Sequence, residues 1–109
     1  MTCCAPEIAC VPGAIAPEDR AGHFALAREL LQERAEERQD LPEGYAFRFG
    51  VEEFDAVARF VANERKCCPF VDFEIVLTRE SQLWLRMSGP PGARAVLEAE
   101  LSLHRSCGC

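Results

Sequence analysis

Asn63-Glu64-Arg65-Lys66-Cys67-Cys68-Pro69-Phe70 marks a change of period in the chain. Before it, Val51 to Lys66 repeats apolar residues at helical spacing, with Phe54, Val57, Ala58 and Val61 on one face. After it, Phe70 to Thr78 alternates: Val71, Phe73, Ile75 and Leu77 share one side of a strand, Asp72 and Glu74 the other. Pro69 disfavours helical geometry at the residue before it, so the helix is expected to end at Cys68. Seven residues on from Val61 lies Cys68, and seven on from Phe60 lies Cys67. The two thiols therefore start about 100° apart around the helix.

Working outward, Arg79-Glu80-Ser81-Gln82 reads as a turn and Leu83-Trp84-Leu85-Arg86-Met87 as a strand returning in a hairpin. Ser88-Gly89-Pro90-Pro91-Gly92 punctuates, and Ala93 to about Leu103 forms a closing helix on Val96, Leu97 and Leu101. On the other side, Tyr45-Ala46-Phe47-Arg48-Phe49 alternates with three aromatics on one face, and Leu41-Pro42-Glu43-Gly44 is a turn. Pro17-Glu18-Asp19 opens a helix, since proline suits the first turn and acids suit the positive end of the dipole. Its apolar stripe of Phe24, Ala27, Leu30, Leu31 and Ala35 predicts a helix to about Arg38, with Glu33, Arg34, Glu36, Glu37 and Arg38 solvated.

The expected fold is α+β: a two-layer sandwich with an N-terminal helix, then βαββα around a three-stranded antiparallel sheet. It is ferredoxin-like but lacks the last strand. A right-handed crossover would join the first two strands, leaving the third to lie between them. Residues 1–16 read as an irregular, Cys-bearing arm, 17–103 as a single α+β domain and 104–109 as a Cys-bearing tail.

A length of 109 residues suits one domain. Such a chain buries about two thirds of its unfolded surface and needs no metal or bridge to own a core. The net charge of −6 argues against nucleic acid as a partner, because phosphate binding rests on Lys and Arg. No apolar run approaches the roughly 18 residues that span a bilayer. Met1-Thr2-Cys3-Cys4-Ala5-Pro6-Glu7 lacks the basic and apolar regions of a secretory signal. A cytoplasmic, reducing location is the expectation, and the odd total of seven cysteines fits it.

Adjacent Cα atoms lie about 3.8 Å apart, whereas a disulfide needs about 4.4–6.8 Å, so Cys67 and Cys68 should stay unbridged. Thiolates are soft donors that prefer Cu(I), Zn(II) or heavier soft ions. Arg65 and Lys66 would favour thiolate, while the negative end of the helix dipole would oppose it. Cys107-Gly108-Cys109 has the form of a loose dithiol, and Cys3, Cys4 and Cys10 that of a second thiol arm. All seven cysteines are thus candidate metal ligands.

Other readings stand beside this one. Cys68 alone fits as a small core residue. A structural zinc could draw on Cys3, Cys4, Cys10, His104, Cys107 and Cys109, although neither CC nor CGC has the usual knuckle spacing. Cys-x-x-Cys, the redox signature, is absent. Asp72, four residues after Cys68, could serve as a general acid beside the thiols, or simply stand exposed on the polar side of its strand. His23 and His104 read as surface residues, and Trp84 as cover for the sheet's second face.

The run Glu64-Arg65-Lys66-Cys67-Cys68-Pro69-Phe70, followed by Leu83-Trp84-Leu85-Arg86-Met87-Ser88-Gly89-Pro90-Pro91-Gly92, resembles a group of small bacterial proteins with the pattern ERxCCPF, a strand, then LxLRxxGPxG. The resemblance covers about residues 17–101 and implies an association with mercury and other thiophilic-metal resistance systems. It implies a soft-metal role for Cys67 and Cys68, and leaves the terminal cysteines without support. The expectation is therefore thiol-based binding or transfer of a soft ion: Hg(II) first, with As(III), Cu(I) or Zn(II) behind it. The receiving partner would be another thiol protein of such a system. The alternatives are an organomercurial-cleaving or thiol-redox enzyme using Cys67, Cys68 and Asp72, or a structural domain with incidental cysteines.

Overall fold

Proline and two acids open helix α1 (Pro17–Arg28) in the computed structural model, which describes residues 10–103. Winding continues through Glu29–Arg34 but widens into a π-helical segment, closed by the Ala35 N–H donating to the Leu30 carbonyl at 2.9 Å. Ala35 is extended, and strand β1 (Glu37–Leu41) follows. The helix predicted to reach Arg38 therefore stops at Arg34. Charged residues tolerate either conformation, and the aromatic strand β2 (Gly44–Gly50) decides between them by offering a ladder. Glu37 pairs with Arg48 and Gln39 with Ala46, and the Arg48 guanidinium bridges Glu36 at 2.6 Å and Glu37 at 3.1 Å. Pro42 and Glu43 form the hairpin turn, since Leu41 pairs directly with Gly44.

A short 3₁₀ turn at Val51–Glu53 leads into α2 (Phe54–Cys67), then β3 (Asp72–Leu77), β4 (Gln82–Ser88) and α3 (Ala93–Leu101). The result is an α+β domain with a four-stranded antiparallel sheet ordered β1-β2-β4-β3. The expected three-stranded sheet gains β1 at one edge. As expected, the last strand, β4, lies between β2 and β3. Gly44 is required by this pairing, because a Cβ there would sit 1.8 Å from the Met87 carbonyl oxygen.

Tyr45, Phe47 and Phe49 of β2 and Leu83, Leu85 and Met87 of β4 line the buried face, and Phe73 and Ile75 of β3 pack against it. Trp84 lies opposite Arg48 and Val76 on the other face, where it is half-buried, as its place in the alternation predicts. The buried stripe of α2 is Val57, Phe60, Glu64 and Cys67, spaced 3, 4 and 3. The expected stripe starting at Phe54 is rotated from this, and Phe54 itself is 39% exposed.

The seat of α3 is fixed from the hairpin turn. The Glu43 carboxylate accepts from the N–H of Gly92 at 3.0 Å and of Arg94 at 3.3 Å, capping the helix where its amides are unpartnered. Gly92 adopts φ 97°, which glycine alone takes without strain. The buried Glu98 carboxylate accepts from the Tyr45 hydroxyl at 2.5 Å. With α3 held at both points, Glu100 is carried to the corner after α2.

Candidate metal centre

Cys67 closes α2 and Cys68 leaves helical geometry (φ −121°, ψ 74°), as the following proline demands. The Cys68 N–H still donates to the Glu64 carbonyl at 2.8 Å, and Val71 N–H returns to the Cys68 carbonyl at 3.1 Å. The two sulfurs at this corner lie within 4.8 Å of each other. Both are fully buried, and they lie against the segment ahead of α1. There Val11 N–H donates to the Cys67 carbonyl at 2.6 Å, and the fully buried Ile15 anchors the chain. Cys10 thereby joins the pair from a different part of the sequence.

One ligand atom from each of Cys10, Cys67, Cys68 and Glu100 lies within 4.8 Å of every other, so the group could hold a metal ion. Cys10, Cys67 and Cys68 are free thiols. Cys67 donates to Glu100 Oε2 at 3.7 Å, and Cys68 to Glu64 Oε2 at 3.3 Å with Glu100 Oε1 at 3.8 Å. The second oxygen of Glu64 contacts His23 Nε2 at 2.7 Å, and the imidazole stacks on Phe60 with centroids 5.4 Å apart.

Burial controls the protonation of this group. It pushes the Cys67 thiol up to about 12, with the nearby Glu100 and Glu64 adding to the effect. Cys68 is pushed up too, first by its hydrogen bond with Cys10 and then by burial. The Glu100 carboxyl rises to about 8 through burial and its hydrogen bond with Glu64. Glu64 rises through burial, and burial lowers His23. Each of these shifts favours the uncharged form, as expected where an uncompensated buried charge would be costly.

Several expectations change here. Arg65 and Lys66 are exposed on α2, and burial outweighs the help they were expected to give thiolate formation. His23, expected at the surface, is buried against Glu64. Asp72 is exposed at the start of β3, beside a surface depression with Arg65 and Pro69, and does not belong to the cluster. The pair is enclosed rather than open to solvent, and the partly exposed members of the cluster are Cys10 and Glu100. Cys3, Cys4, His104, Cys107 and Cys109 lie outside the described residues.

Glu64, Glu100 and His23 are the functional candidates that sequence reasoning missed. Two carried a signal. Glu64 occupies a position in the α2 stripe where an apolar residue is expected, and His23 precedes Ala27 and Leu30 by four and seven residues on the buried side of α1. Glu100 carried none, because its meeting with the thiols depends on where α3 docks. Among the described residues no helix is long and apolar enough to cross a membrane. No protein-family model, curated protein or solved structure matches this chain.

Proposed function

We propose that this protein binds or transfers a soft metal or metalloid ion through Cys67 and Cys68, with Cys10 as a third sulfur donor and Glu100 at the edge of the site. The observation that carries the reading is the convergence of three sulfurs and a carboxylate, drawn from three separate parts of the chain, within 4.8 Å. A tetrahedral shell at the ~2.3 Å of a Zn–S bond places its donors about 3.8 Å apart, so a small inward movement would close the group on an ion.

Sulfur donors select soft ions over Mg or Ca. The raised thiols sharpen that preference, because an ion must displace protons held more firmly than usual. Hg(II) stands first on the sequence resemblance, followed by As(III), Cu(I) and Zn(II). The setting is a reducing cytoplasm, where the thiols remain unpaired. Cys3, Cys4, Cys107 and Cys109 would pass the ion to or from the buried set by ligand exchange, which needs thiols that can reach a partner. The enzymatic alternative loses its proposed acid, since Asp72 stands outside the cluster.

A competition titration of the reduced protein with Hg(II), Zn(II), Cu(I) and As(III), alongside a Cys67→Ala, Cys68→Ala variant, tests the reading. Soft-ion affinity should collapse in the variant. Equal affinity in both proteins removes the corner pair from the site.

A further inference from the structure

The soft-ion reading leaves the class of ion open, and donor count together with charge narrows it. Three sulfurs meet, not two, and the third arrives on a segment tied to Cys67 by a 2.6 Å backbone hydrogen bond. The environment is enclosed and acidic. Cys67, Cys68 and Glu64 are fully buried, and the oxygen groups bonded to Cys67 and Cys68 are the carboxyls of Glu64 and Glu100. Among the described residues, the basic group paired with either carboxyl is the buried His23. A net negative complex would sit beside two carboxyls without an arginine or lysine among the described residues paired to them, which leaves its desolvation cost uncompensated.

Charge arithmetic then separates the candidates. A monovalent ion on three thiolates leaves two negative charges, and a divalent ion leaves one. A divalent ion can be neutral on two thiolates, but the third sulfur is then unused. A trivalent centre on three thiolates is neutral and uses all of them.

Resting on the soft-ion reading, we propose that Cys10, Cys67 and Cys68 form a three-thiol receptor for a trivalent metalloid hydroxide of the arsenite or antimonite class. Capture is a condensation. Each metalloid–oxygen bond is exchanged for a metalloid–sulfur bond, and each thiol hydrogen leaves with a hydroxide as water. Three waters form, and no oxidation state changes. The reaction consumes protonated thiols and deposits no net charge in the interior. Cys10, the partly exposed member, is the natural first point of contact, after which the buried pair completes the set.

The test uses the full chain with Cys3, Cys4, Cys107 and Cys109 changed to serine, with and without Cys10→Ser or Cys10→Ala. The probes are sodium arsenite, phenylarsine oxide (which has two exchangeable bonds) and Hg(II). Arsenite should bind one to one, with three sulfurs in its X-ray absorption spectrum. Either Cys10 substitution should weaken arsenite by about 100-fold or more while changing phenylarsine oxide and Hg(II) by less than about threefold. A cooperative urea transition, measured for each variant, shows that it is folded. Arsenite held by fewer than three sulfurs, or indifferent to Cys10, overturns the metalloid assignment. If arsenite fails while Hg(II) still binds Cys67 and Cys68, the assignment falls and the soft-ion reading stands. If no probe binds, both fall.

Discussion

Replacing Glu64 weighs the polar group beneath the thiols most directly. Glu64 and His23 are fully buried side chains in contact at 2.7 Å. The geometry is that of an ion pair, yet burial raises the acid and lowers the imidazole, and both shifts favour uncharged partners. The contact is a buried hydrogen bond whose two partners are both drawn toward their uncharged forms. Glu64→Ala leaves His23 Nε2 and the Cys68 thiol without that partner, next to a His23 Nδ1 that already has none among the described residues. An orphaned buried polar group costs about 1–3 kcal/mol, and the cavity adds about 1–2 kcal/mol. The expected loss is about 3–4 kcal/mol, or a Tm lower by about 12 °C or more in a domain of this size. His23→Phe keeps the ring that stacks on Phe60 and should cost only about 1–2 kcal/mol, through the abandoned carboxyl. In the double variant Glu64→Ala, His23→Phe neither partner of this contact is left alone, so the losses should not add, with a coupling of about 2 kcal/mol. Urea unfolding of the four proteins at neutral pH measures this cycle. A loss below about 1 kcal/mol for Glu64→Ala, or simple additivity, would refute the reasoning.

Three further outcomes follow from the same geometry. Glu100, at about 8 when folded against 4.5 ordinarily, supports the fold fully below pH 4.5 and loses that support as pH rises toward 8. His23 is lowered from 6.5, so its contribution is present above pH 6.5 and is lost as pH falls below it. The urea midpoint should therefore decline between pH 6.5 and 8, and Glu100→Gln should flatten that decline; a midpoint that climbs over this interval contradicts the assignment. An ion bound by donors from three separate segments should raise stability by about 2.7 kcal/mol at a hundredfold excess over its Kd. Calorimetry with Hg(II) or arsenite should show this shift, less whatever the unfolded chain's own thiols absorb, and Cys67→Ala, Cys68→Ala should abolish it. Gly44→Ala forces a Cβ to 1.8 Å from the Met87 carbonyl oxygen and should cost more than about 3 kcal/mol; near-wild-type urea stability would mean that β2 and β4 do not approach so closely.

Much of this protein is legible in its residues taken alone. Alternation in Tyr45–Phe49, Asp72–Leu77 and Leu83–Met87 places those strands, because a two-residue period can bury only one side. Pro69 ends α2 at Cys67 by a local steric rule, and the adjacency of Cys67 and Cys68 argues against a bridge through bond geometry. Interactions within a few residues carry all of these. The remainder needed distant partners. Glu37–Leu41 is a strand because an aromatic neighbour offers a ladder, not because of its own charged residues. The stripe of α2 turns toward Glu64 because α1 supplies His23. Cys10 and Glu100 reach the thiols because the segment before α1 and the capped α3 dock at the same corner, and sequence spacing holds no record of that docking. The thiols are identifiable from the chain, but their burial, their protonation and their third sulfur belong to the folded arrangement.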